Sequence, residues 1–270
     1  MTETKKAVGA ALALSIVWAA ATWFLEGRIE TFLRPEAAID RLLYAAVANL
    51  GIGIVGAMTI LRFILHRRYL RREEAGFGSP TRTGIAVASG LVLGLAFYSL
   101  SGGPTSDPIV LTNAFAQVLV VSAAEVVVCW VVVGTVFEAA FRDLGRLIAV
   151  GLAAVVASVL FGAYHFSHSP PFNTVGMVAF LSVIGLVTSL FFFLSRDVYG
   201  TIVFHNFLGV LGVANALAAE GKLQAMTELP AWLLATAATT VLVLVGVDRF
   251  IIRRALPSKH DHELPQRAQA

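Results

Sequence analysis

Charge is scarce in this chain. Asp, Glu, Lys and Arg make up 14% of the 270 residues, against about a quarter in a soluble domain. A soluble globular protein is therefore excluded. The formal net charge is +3 and the basic residues are concentrated in a few loops, a balance that reads as membrane topology and not as nucleic-acid affinity. Cysteine is almost absent. The single Cys129 lies inside an apolar segment, so no internal disulfide framework exists. No internal repeat or low-complexity stretch is present. No small-x-small cleavage site with a polar mature region follows the first apolar run, so that run reads as a retained span and not as a removed signal peptide.

Apolar residues are abundant, at 57%. They fall into about eight runs near the ~20 residues that a spanning helix needs: 7–25, 38–65, 83–100, 109–137, 146–165, 172–194, 198–219 and 230–251. The expected fold is an all-α, polytopic membrane helix bundle of about eight transmembrane helices. The expected organisation has scaffold spans over 1–108, a core over 109–219, a last span over 220–252 and a solvated tail over 253–270. Glycines such as Gly51, Gly53, Gly56, Gly90 and Gly94 suit close helix packing in the scaffold. The tail's His260 and His262 could bind a metal, though a flexible tail is the simpler reading.

The basic residues set the expected orientation. Lys5 and Lys6, the linker 66–82, Arg142 with Arg146, Arg196 and the segment 253–260 all fall on one side of an eight-span topology. The positive-inside rule makes that side the cytoplasm. The expected location is the plasma (inner) membrane, with both termini cytoplasmic.

Few ionisable groups interrupt the spans, and such groups are costly unless they work. Glu125 lies deep in the fourth run. His165 and His168 stand where the fifth run ends before Pro170-Pro171. His205 and Asn206 are in the seventh, and Glu138 and Arg142 close the fourth. Glu125 and His165 stand twenty positions either side of Gly145, so an antiparallel hairpin sets them at one depth. Glu138 is about 20 Å nearer the cytoplasm than His165 by the same rise. His205, counted from Val198, falls lower than His165 unless its helix starts inside the membrane. Glu138 and Arg142 are spaced for an i,i+4 ion pair, and Asn206 for a bond across helices.

A carboxylate among imidazoles in an apolar wall can take a proton from water, and a second imidazole or an amide can donate to an oxyanion. Glu125, His165, and His205 with Asn206 supply these parts. Glu125, His165 and His205 could instead hold zinc and leave a position open for water. A transporter or haem carrier using the histidines is a third class. No chain of polar residues through the spans supports it.

The phrase S-V-L-F-G-A-Y-H, 158–165, resembles the F-x-x-x-H motif of the CAAX-protease and bacteriocin-processing (CPBP) family of intramembrane endopeptidases. Phe161 and His165 match it. His205 resembles the start of the family's H-x-x-x-N motif, with Gly209 at the last position and Asn206 next door. The E-E-x-x-x-R motif has two partial matches: Glu138 with Arg142, after Phe137, and Glu125, after Ala124 and with Cys129 in the place of Arg. Depth favours Glu125; spelling favours Glu138. The resemblance covers about 109–219. It implies hydrolysis of a peptide bond in a membrane-associated or prenylated-like substrate, with membrane lipid and a peptide or protein as partners and no nucleic acid. A degenerate family member acting as an interaction or scaffold protein is the alternative.

Overall fold

The structure, a computed structural model, describes residues 3–31, 34 and 37–254. Eight of the helices among them are long and apolar enough to cross a membrane: α1 Glu3–Gly27, α2 Ala38–His66, α3 Pro80–Leu100, α4 Pro108–Ala140, α5 Arg146–Ser167, α6 Val175–Ser195, α7 Val198–Ala219 and α8 Ala231–Arg253. The chain is an all-helical integral membrane protein, and no strand occurs among the described residues. The tail beyond Arg254, with His260 and His262, lies outside them.

Helix starts follow local chemistry. Ser79, Asp107, Thr174 and Asp197 each accept a backbone N–H in the first turn of the helix they precede, which satisfies donors with no intrahelical partner. Pro80 and Pro108 occupy first helical positions, where their missing N–H costs nothing.

α4 is the central helix. Its run Val126–Gly134 is π-helical, and every residue in it is buried. A helix that is apolar all round belongs in the middle of a bundle. Trp130 fills the space beside it and donates from Nε1 to Ser189 Oγ of α6 at 2.7 Å.

The basic segments gather at one end. Arg142 donates to Tyr69 O at 3.0 Å, Arg196 to Glu74 O at 3.2 Å and Arg253 to Gly78 O at 3.4 Å. The linker is thus a folded plug, with Leu70, Ala75 and Phe77 buried. The turn between α6 and α7 is only Arg196–Asp197. Asp197 and Val198 are fully buried, and Val198 N donates to Gly76 O at 3.1 Å. α7 therefore begins inside the protein, above the plug, and this raises His205 relative to a helix that starts at the membrane edge.

α3 and α7 touch along small residues. A Cβ on Gly90 would lie 2.5 Å from Gly200 O, and one on Gly200 would lie 2.6 Å from Ala86 Cβ. Gly53 meets α4 in the same way, with Ala124 Cβ 2.6 Å from the added carbon. Gly51 and Gly56 meet only backbone of their own helix, so the expected packing role holds at part of the glycine set. Gly200→Val should force α3 from α7 and cost about 1–3 kcal/mol, the range for overpacking. Thermal unfolding in detergent should show a lowered midpoint, whereas Gly151→Val, with open space around it, should leave it near wild type.

Candidate active site

Near the end opposite the basic plug, a cavity of about 170 Å³ lies between α1, α2, α4, α5, α6, α7 and α8. Valine, leucine, isoleucine and phenylalanine supply the largest apolar share of its wall, and Arg41, Tyr44, Gln117 and two threonines line it too, beside Glu125, His165, His168, His205 and Glu26. All five are buried or nearly so.

Glu125 is the hub. Its Oε2 lies 3.0 Å from His205 Nε2, and its Oε1 lies 3.6 Å from His165 Nε2. An ionised carboxylate only accepts, so the His205 Nε2–H donates to it, and Thr188 Oγ1 donates to His205 Nδ1 at 2.9 Å. His165 is set differently. It ends the α-helical part of α5, and its own backbone N–H bonds Gly162 and Ala163. The carbonyl of Phe161 is thereby left to the ring, and Nδ1–H donates to it at 2.9 Å. The bare Nε2 then points toward Glu125 Oε1. Two acceptors at 3.6 Å do not bond each other. A molecule with two protons, water, satisfies both.

Phe161 has a second use. Its ring lies edge-on to His165 at 4.7 Å and to His205 at 5.2 Å. The F-x-x-x-H spacing thus puts a wedge between the two imidazoles and supplies the carbonyl that fixes one of them.

The other expected residues lie elsewhere. Glu138 does not line the cavity, and its partner is not Arg142. Arg196 binds it through two bonds, of 2.5 and 2.6 Å. The helical register stops at Phe141, with φ −97° and ψ 6°, so Arg142 swings away and donates to Ala139 O and Tyr69 O. Asn206 is fully buried and donates to Phe115 O of α4 at 3.0 Å. It too is absent from the cavity wall. Gly209 lines the cavity, and a side chain there would meet Val118 at 2.9 Å.

One acid escaped the sequence reading. The first apolar run ends at residue 25, which leaves Glu26 just outside the expected span. The π-helical turn Trp23–Gly27 carries it inward instead, to 4% exposure. It lies 3.3 Å from His168 Nδ1 and accepts from Ser169 N at 2.9 Å and from Ser169 Oγ. The detectable signal was an acid closing one span at the end of the bundle where His168 closes another.

Glu125, His165 and His168 bring three ligand atoms within 4.8 Å of one another. Two imidazoles and a carboxylate are a donor set that zinc accepts, and Glu26 behind His168 and the Phe161 carbonyl behind His165 are the outer partners such ligands take. The set differs from the expected one: His168 replaces His205, whose Nε2 is committed to Glu125.

Residues 134–211 match the family described as Rce1-like, Type II CAAX prenyl endopeptidase. The similarity covers less than a third of the chain. The resemblance read from the motifs stands on that stretch, which includes Phe161, His165 and His205 but begins after Glu125. No curated protein and no solved structure matches the chain.

Glu138→Gln should leave the cavity groups in place and lower stability by about 1.5–3 kcal/mol, the value of hydrogen bonds to a charged group. Denaturant titration of the purified protein checks this. A site role for Glu138 requires the opposite pattern: unchanged stability and lost function.

Proposed function

We propose that this protein is an intramembrane endopeptidase that hydrolyses a peptide bond by side-chain-activated water. The observation that supports it is the pair of acceptors, Glu125 Oε1 and His165 Nε2, facing each other across 3.6 Å in a cavity with apolar walls. A water held by both presents its lone pair to a carbonyl carbon. Glu125 takes the first proton as the C–O bond forms. Its Oε2 then becomes a poorer acceptor, and His205 Nε2–H is released to donate to the developing oxyanion. Thr188 keeps the His205 ring aligned throughout.

A zinc ion, if held by Glu125, His165 and His168, would supply polarised water in the same place. The side chains alone suffice for the steps above. Asn206 acts here as a tether between α7 and α4, not as a donor to the oxyanion. Glu138 and Arg142 serve the fold.

The family description supports a substrate of CAAX prenyl type, and the apolar wall suits a lipid-modified or membrane-bound peptide. Lys and Arg crowd the plug end, which by the positive-inside rule supports a cytoplasmic side for that end and both termini at the plasma (inner) membrane. The cavity then lies in the outer half of the bilayer, and the substrate enters laterally or from the outer face. A non-catalytic interaction or scaffold role draws support from Ala124 and Gly209, where the family motifs have Glu and Asn.

With a quenched-fluorescent peptide carrying a prenylated cysteine, Glu125→Gln and His165→Ala should each lower turnover by about 10²–10⁴-fold, the range for a lost general base. Full turnover in both variants defeats the hydrolytic reading, and absence of turnover in wild type favours the scaffold role. For orientation, a cysteine placed at Ser106 should react with an impermeant maleimide on intact cells, while one at Ser79 should react only after lysis. The reverse labelling inverts the topology.

A further inference from the structure

Glu125 and His165 account for taking a proton, but amide hydrolysis must also give one. An amine leaves poorly as an anion, so its nitrogen has to be protonated as the C–N bond breaks. His205 cannot serve, because its Nε2–H belongs first to Glu125 and then to the oxyanion.

The cavity holds a second carboxylate–imidazole pair. Glu26 Oε2 lies 3.3 Å from His168 Nδ1, and Ser169, through N–H and Oγ–H, fixes that carboxylate. The His168 ring lies nearly parallel to His165, with centroids 5.0 Å apart and planes at 25°. Tyr164 and Tyr44 meet it edge-on at 4.8 and 6.1 Å. With Nδ1 held, the other nitrogen decides the role. His168 Nε2 is buried and has no hydrogen-bond partner among the described residues, while the residue lines the cavity. A buried ring nitrogen left open costs stability, and a salt bridge kept only for the fold would not need one on a residue that lines the cavity. The backbone is arranged for the pair as well. A Cβ on Gly27 would lie 2.1 Å from Ser167 O, so only glycine lets the end of α1 bring Glu26 against the His168 turn.

We propose that His168 is the general acid that protonates the leaving amine, with Glu26 as its positioning residue. The proposal rests on the hydrolytic reading above in its metal-free form, because a zinc ion held by His168 would occupy the nitrogen that carries the proton. Glu26 carries the negative charge that balances the ring when both its nitrogens are protonated, and it holds the ring in place. The steps close. Water adds to the carbonyl carbon and its first proton passes to Glu125. The His168 Nε2 proton passes to the amide nitrogen as the C–N electron pair leaves with it. The intermediate collapses to a carboxylic acid and a neutral amine. The proton on Glu125 then returns to His168, and both groups are restored.

The test uses the full-length protein and two quenched-fluorescent prenylated peptides that differ only at the scissile bond, one an amide and one an ester. An alkoxide leaves far more readily than an amine anion, so the ester needs little help from an acid. His168→Ala should cut amide turnover by about 10²-fold or more and ester turnover by only a few-fold. Glu26→Gln should show the same signature, weaker. His165→Ala should cut both alike. The amide-to-ester ratio is taken within one sample, so partial misfolding of a variant cancels. An unchanged ratio in both His168→Ala and Glu26→Gln overturns the proposal while the hydrolytic reading stands. Wild-type protein that cleaves neither peptide overturns both.

Discussion

A carboxylate buried in an apolar wall must be answered by partners, because removing it from water costs several kcal/mol. Glu125 is that carboxylate, and much of the bundle is arranged to answer it. α7 brings His205 to one oxygen, α5 brings His165 toward the other, and α6 supplies Thr188 behind His205. α4, which carries Glu125, is the most buried of the eight spans. The helices that converge on it therefore meet where the polar requirement is greatest.

Placing three imidazoles around buried acids also fixes the local backbone. The end of α5 tightens at His165, and a carbonyl that would otherwise serve the helix serves a ring. The turn between α6 and α7 is buried on the folded linker beneath it. α1 ends in a widened turn that presents Glu26. Each is a departure from regular helix, and each sits beside or beneath a residue that lines the cavity. Such irregular turns collect at functional sites because a straight helix seldom aims a side chain where chemistry needs it.

Much of this was legible in the sequence, and the failures have physical causes. Hydropathy located the eight spans, because length and apolar content are what the bilayer selects. Counting residues from Gly145 paired Glu125 with His165, since both helices of a hairpin rise at the same rate. The same count leaves His205 lower than His165 unless its helix starts inside the membrane, and the buried start of α7 on the plug folded from 67–79 meets that condition. Glu26 falls outside the run 7–25, because a run of apolar side chains says nothing about backbone that continues inward past its end. Glu138 and Arg142 have the spacing of an ion pair, but the helix ends between them, and Arg196 from another span takes the acid.

The cavity draws its polar wall from both halves of the chain. Glu26, Arg41 and Tyr44 come from the first two spans, while the family stretch 134–211 supplies His165, His168 and His205. The N-terminal spans are thus more than a holder for the rest. A chimera that kept 134–211 and exchanged α1 and α2 would retain the familiar spelling of the motifs yet enclose a differently charged chamber. Likeness over the shared stretch therefore underdetermines what the chamber admits, and diversification of this architecture can proceed at its N-terminus while its signature stays unaltered.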